Sequence, residues 1–214
     1  TYITRRAELK KLTESGLILI FGNNDSPANY PANAYKFRQD STFLYFFGWQ
    51  RDGLVGVIDV DNDREYFVGD EIDIDDIVWY GSVTSVGEMA ARAGVARTAK
   101  MRELQNIVDA AKSSGQEIHF LPPYRFDTKI QIMDLLGLHP AVQKEAASRK
   151  LIDAVVKLRS TKSEEEIAEL ERAARIGYEM HTAAMRLCSP ETTEQYIGGV
   201  LDGIASSYGC MVSF

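Results

Sequence analysis

The chain has 214 residues, 45% of them hydrophobic and 26% charged, with a formal net charge of −7. This is the composition of a soluble globular protein with room for one domain and part of another. The negative balance and the lack of a Lys/Arg-rich run exclude nucleic acid as a partner, and no apolar run reaches membrane-spanning length.

Residues 4–15 carry Ala7, Leu9 and Leu12 among charged neighbours and predict a helix, ended by Gly16. Leu17-Ile18-Leu19-Ile20-Phe21 is a continuous apolar run, the pattern of a strand covered on both faces. Residues 22–27 are a loop by composition. An aromatic run, Phe43 to Phe47, ends at Gly48. Leu54–Val60 reads as a strand, Asp61-Asn62-Asp63 as a turn and Arg64–Val68 as the returning strand of a hairpin. Residues 99–112 predict an amphipathic helix with Met101, Leu104, Val108 and Ala111 on one stripe. Ile118–Leu121 predicts a further strand, stopped by Pro122-Pro123.

A domain boundary is expected near residues 145–160, giving domains 1–150 and 151–214. The helix after it opens with a capping box, Ser163 and Glu166, and shows Ile167, Leu170, Ala174, Tyr178, His181 and Met185 on its apolar face. A second helix has Thr192 and Gln195 at capping-box spacing, a stripe of Ile197, Leu201, Ile204 and Tyr208, and Gly209 as its stop. A strand is expected to begin at Val212-Ser213-Phe214, where a second domain would be starting.

Chemistry-bearing clusters are few. Asp59, Asp61, Asp63 and Asp70 fit positions 1, 3, 5 and 12 of a calcium loop, but Arg64 stands where that loop needs Gly, and the flanks are strands. A solvated hairpin turn is the favoured reading. Glu71, Asp73, Asp75 and Asp76 alternate with isoleucines, which favours an edge strand with a charged outer face over a metal site. His119, His139 and His181 have no HExxH or HxH partner; His181, on an apolar helix face, reads as a core histidine. Phosphate-cradling loops and nucleophile elbows are absent from the sequence. Cys188 and Cys210 lack metal spacing and read as reduced thiols of a cytoplasmic protein, and the amino-terminal residues lack the apolar core of a signal peptide.

Several segments, in order along the chain, resemble the aminopeptidase P family. Tyr35-Lys36-Phe37-Arg38-Gln39-Asp40-Ser41-Thr42-Phe43-Leu44-Tyr45-Phe46-Phe47-Gly48 resembles the core motif of its amino-terminal domain. Arg5–Leu9 resembles its opening helix, and Ile77-Val78-Trp79-Tyr80-Gly81 its tryptophan-aromatic-glycine segment. Leu158–Ile167 and His181–Met185 resemble the approach to its catalytic domain.

The resemblance implies an α/β fold: a mixed-sheet, creatinase-type amino-terminal domain with a ribonuclease H-like motif, followed by two helices and the first strand of a truncated pita-bread domain. It implies that the parent protein is a metallopeptidase that removes a residue preceding proline from peptide amino termini, using two divalent metal ions, manganese by expectation, held by residues after Phe214. The present segment is then expected to supply oligomerisation and active-site access, to bind no metal and to be inactive alone. Trp79 is the single candidate substrate contact, reaching a neighbouring subunit of a homo-oligomer; Arg38 and Asp40 are expected to form an ion pair or loop anchor. A prolidase or creatinase relative, or a non-catalytic peptide-binding pita-bread relative, are the competing implications.

Overall fold

A computed structural model describes residues 1–72, 77–79 and 81–212. It divides into two compact units, Thr1–Ser160 and Thr161–Phe214. The first is mixed α/β. Helix α1 (Tyr2–Thr13) leads into β1 (Leu17–Phe21), whose first four residues are buried, as a strand covered on both faces requires. A short exposed hairpin follows, β2 (Pro27–Tyr30) and β3 (Asn33–Ala34). After helix α2 (Ser41–Phe47) come β4 (Val55–Asp59) and β5 (Arg64–Val68), which form the expected hairpin.

Helix α3 (Val86–Ala93), β6 (Arg97–Ala99), helix α4 (Leu104–Ser113), β7 (Ile118–Phe120) and helix α5 (Phe126–Leu136) complete the alternation. The predicted helix over 99–112 is a 3₁₀ turn, Met101–Glu103, followed by α4, with Leu104, Val108 and Ala111 buried. A short helix α6 (Gln143–Ala146) precedes α7 (Arg149–Ser160), which packs along α1.

The sheet order is β6-β5-β4-β1-β7. β4 runs antiparallel to both neighbours, while β7 is parallel to β1 and β6 to β5. Four strands therefore point one way, and β4, in the middle, points back. One sheet face packs Ile18, Ile20 and Ile58 with Phe43, Phe46, Phe47 and Phe67; the other packs Leu17, Leu19 and Val57 with Leu104 and Val108. The alternation of β1 residues between the two clusters follows from the period-2 pleat.

The second unit holds helix α8 (Glu164–Leu187) and helix α9 (Glu194–Ser207). The predicted capping box forms: Ser163 Oγ accepts from the Glu166 N–H and the Glu166 carboxylate accepts from the Ser163 N–H. The predicted cap of the next helix lies one residue further on. Thr193 Oγ1 accepts from the Tyr196 N–H, whereas the Thr192 hydroxyl is engaged with Ser189. Gly209, at φ 70°, follows α9 as a stop. The apolar stripe of α8 is not core: Ile167, Leu170, Tyr178 and Met185 are exposed, and so is His181; Ile176 of α8 and Ala205 of α9 are the buried residues of the two helices. The core-histidine reading of His181 is thus corrected. Residues 210–212 form no strand, and Ser213 and Phe214 lie outside the described residues.

Candidate functional site

The motif between Tyr35 and Gly48 builds a loop anchor. Asp40 caps α2, its Oδ1 accepting from the Thr42 and Phe43 N–H groups at 2.8 and 2.9 Å. Gln39 is 2% exposed, and its Oε1 accepts from the Asn23 and Asp40 N–H groups while its Nε2 donates to the Arg51 carbonyl. Asn23 Nδ2 donates to the Arg38 carbonyl, and the Tyr124 hydroxyl donates to Asp40 Oδ2. Arg38 is exposed and enters this network through its backbone, so the Arg38–Asp40 pair resolves into a capped helix and a carbonyl acceptor. Gly48 closes α2 at φ 75°, with the Tyr2 ring where a Cβ would stand.

The acidic spacing at Asp59 to Asp70 is spent on the fold. Asp59 accepts from Asn62 and Gln116, Asp61 from the Gly16 N–H and Gln116, Asp63 from Lys10, and Asp70 from the Met101 N–H. Hydrogen bonding from Lys10 lowers the Asp63 pKa. Glu71 accepts from the Val86 N–H; Ile72 lies in irregular chain and residues 77–79 are helical. Asp73, Asp75 and Asp76 lie outside the described residues.

His119 is 1% exposed on β7. Its Nε2 faces the Ser15 carbonyl at 3.0 Å, an atom that only accepts, so Nε2 carries the proton and Nδ1 accepts from the Ser148 hydroxyl at 2.8 Å. Ser148 Oγ in turn accepts from the Leu151 N–H in the first turn of α7. The imidazole is thereby committed to the fold. Among the described residues no three His, Cys, Asp or Glu side chains converge on a metal position, so these residues do not fit a two-metal centre. Cys188 and Cys210 are free thiols. No helix of the described residues is long and apolar enough to cross a membrane.

Two exposed features remain. Ile77, Val78 and Trp79 stand in solvent, Trp79 at 82%. Sequence reasoning singled out this tryptophan; nothing near it in the described residues forms a recognisable site.

The second feature was not foreseen. Loops from the carboxyl ends of β1, β5 and β6 and from the start of β4 meet α5 around a cleft of about 840 Å³. Its apolar lining includes Val83, Met101, Leu104, Ile130 and Leu135, and its rim carries Asp25, Asp52, Asp70, Glu71, Asp127 and Asp134 with Arg51. Burial and the neighbouring Asp52 raise the Asp25 pKa, against the pull of Arg125. Burial also opposes ionisation of Asp127, but hydrogen bonds and charge from Arg125 outweigh it and lower its pKa.

The fold of the first unit is α/β with a mixed sheet, and Gln39 and Asp40 of the motif anchor its loops. Residues 2–119 match the family described as "Aminopeptidase P, N-terminal domain", and the chain belongs to that family. It is 26% identical over 203 residues to the Xaa-Pro aminopeptidase of Escherichia coli K12, covering 91% of this chain and 46% of that protein. It is 23% identical over 172 residues to a probable Xaa-Pro aminopeptidase of Leptosphaeria maculans, covering 80% of this chain and 28% of that protein. The zinc-substituted E. coli aminopeptidase P in complex with product superposes with a TM-score of 0.74 at 21% identity, over 98% of this chain and 50% of that one. The low-pH form of the E. coli enzyme gives 0.73 at 22% identity, with the same coverage. The chain thus spans about half the length of these relatives or less.

Proposed function

We propose that this chain is the amino-terminal portion of a metal-dependent Xaa-Pro aminopeptidase, an enzyme that removes an amino-terminal residue preceding proline. The observation that carries the reading is family membership over residues 2–119, joined to relatives that are Xaa-Pro aminopeptidases. In this reading the chemistry belongs to a second domain of the parent polypeptide, with two divalent metal ions, manganese by preference. Such a pair would supply an activated water and stabilise the tetrahedral intermediate. The present segment holds oligomer contacts and shapes access. Trp79, at 82% exposure, is offered as a substrate contact to a neighbouring subunit, an aromatic face suited to proline.

The test compares the purified 214-residue chain with its parent polypeptide, both with manganese, on an Xaa-Pro-Xaa peptide. The parent is expected to release the first residue and the chain alone to release none. Turnover by the chain alone would overturn this division of labour, and an inactive parent would overturn the peptidase reading.

A further inference from the structure

β1, β5, β6 and β7 all direct their carboxyl ends to one edge of the sheet, and β4 starts there. In open α/β sheets the crevice outside the carboxyl ends is where ligands bind, because the loops there leave the sheet in different directions and open a gap. The 840 Å³ cleft occupies this edge, in the size range of ligand pockets. Apolar side chains stand exposed in it: Ile130 at 53% and Val83 at 38%.

A second groove of about 440 Å³, lined by Pro27, Tyr124 and Phe126, shares Asn24, Asp25 and Asp127 with the first. Phe126 is 80% exposed and Tyr124 67%. The two grooves adjoin at these three shared residues, giving a track with an aromatic end that Arg125, paired with Asp127, also lines.

Charge decides the occupant. Asp70 and Glu71 are bonded to backbone N–H groups and Asp127 to Arg125, but Asp25, Asp52 and Asp134 have no ion pair among the described residues. Among the described residues Arg51 is the lone cation lining the first groove; its Nη2 donates to the Asp70 carbonyl and its Nη1 is buried without a partner. An anionic ligand would meet net repulsion. A compact cation would leave the apolar lining and the aromatic end unused.

We propose that this track docks an extended basic peptide segment, its lysine or arginine side chains on the Asp25, Asp52 and Asp134 carboxylates and its apolar side chains on Ile130 and Phe126. The proposal uses only the first unit and stands apart from the peptidase reading.

The test is fluorescence anisotropy of a labelled peptide alternating lysine and leucine, titrated with the 214-residue chain. Binding is expected to weaken about fivefold or more in the D52N/D134N double variant, to weaken in Phe126→Ser, and to fall steeply between about 50 and 300 mM salt, as screening shortens the range of exposed charges. Asp52, Asp134 and Phe126 are exposed, so circular dichroism melts should match the parent chain; Glu169→Gln in the second unit is the binding control. An unchanged Kd in D52N/D134N overturns the proposal. So does equal binding of the peptide in which glutamate replaces lysine, or an aliphatic polyamine binding as tightly as the peptide.

Discussion

The Arg6 guanidinium, wholly buried, donates through Nε to Glu65 Oε2 at 2.8 Å and joins α1 to β5. Its Nη1 donates to the Phe46 carbonyl and its Nη2 to the Gly94 carbonyl, so one side chain ties the ends of α2 and α3 to the same point. The neighbouring Lys10 bonds both Asp63 and Glu65. Arg6→Leu strips the Phe46 and Gly94 carbonyls of their donor and Glu65 of one partner, while Lys10 still compensates the Glu65 charge. The expected loss in urea denaturation is about 2–3 kcal/mol. Glu65→Gln should cost less, about 1–2 kcal/mol, because an amide oxygen still accepts from Arg6. A loss below about 1 kcal/mol for Arg6→Leu would mean the guanidinium is not a keystone.

Gln39 bears a comparable load for the loops. Replacing it with Leu strips the Asn23 and Asp40 N–H groups of their acceptor and the Arg51 carbonyl of its donor. The expected cost is about 2–3 kcal/mol, with faster amide hydrogen exchange at Asn23 and Asp40. Unchanged exchange at those two amides would refute the anchor role.

Asp25 and Asp127 are expected to respond oppositely to acid. The folded pKa of Asp127 is lowered, so its stabilising contribution is present above the ordinary carboxylate value and is lost as pH falls through the folded one. The folded pKa of Asp25 is raised, so its ionisation opposes folding above the ordinary value, and acid relieves that opposition. Asp127→Asn should lower Tm at neutral pH, and Asp25→Asn should raise it. Both differences should shrink at about pH 3, where carboxylates approach protonation in either state. Differential scanning calorimetry at the two pH values checks this; shifts of the same sign for both variants would contradict it.

The strands were legible where burial is two-sided or a hairpin is local. Leu17–Phe21 and the run around Asp61-Asn62-Asp63 announce themselves because each needs only its own residues or the next segment. The parallel partners of β1 and β5 are β7 and β6, distant in sequence, and pairing of that kind leaves no local pattern. Helix α7 was unassigned because its buried face, Leu151, Ala154 and Val155, is short and sits among charges. His181 was misplaced because an apolar stripe states what a helix could bury, not what is there to cover it. The cleft escaped for a related reason: Asp25, Asp52, Asp70 and Asp134 come from four segments that meet only at the sheet edge. Trp79 was the one site residue named from sequence, and exposure is what the structure adds to it.

That exposure makes the role of Trp79 separable from folding. A side chain at 82% exposure buries little apolar area, so Trp79→Ala should change stability by less than about 0.5 kcal/mol. If the ring meets substrate across a subunit boundary in the parent enzyme, the same change should lower kcat/KM on Xaa-Pro-Xaa peptides by about tenfold, the value of about 1.4 kcal/mol of lost contact. Phe at this position should restore part of it, since an aromatic face is retained. A fall of several degrees in Tm with kcat/KM unchanged would assign the tryptophan to packing instead, and a shift to a smaller species on size-exclusion chromatography would assign it to an interface between subunits.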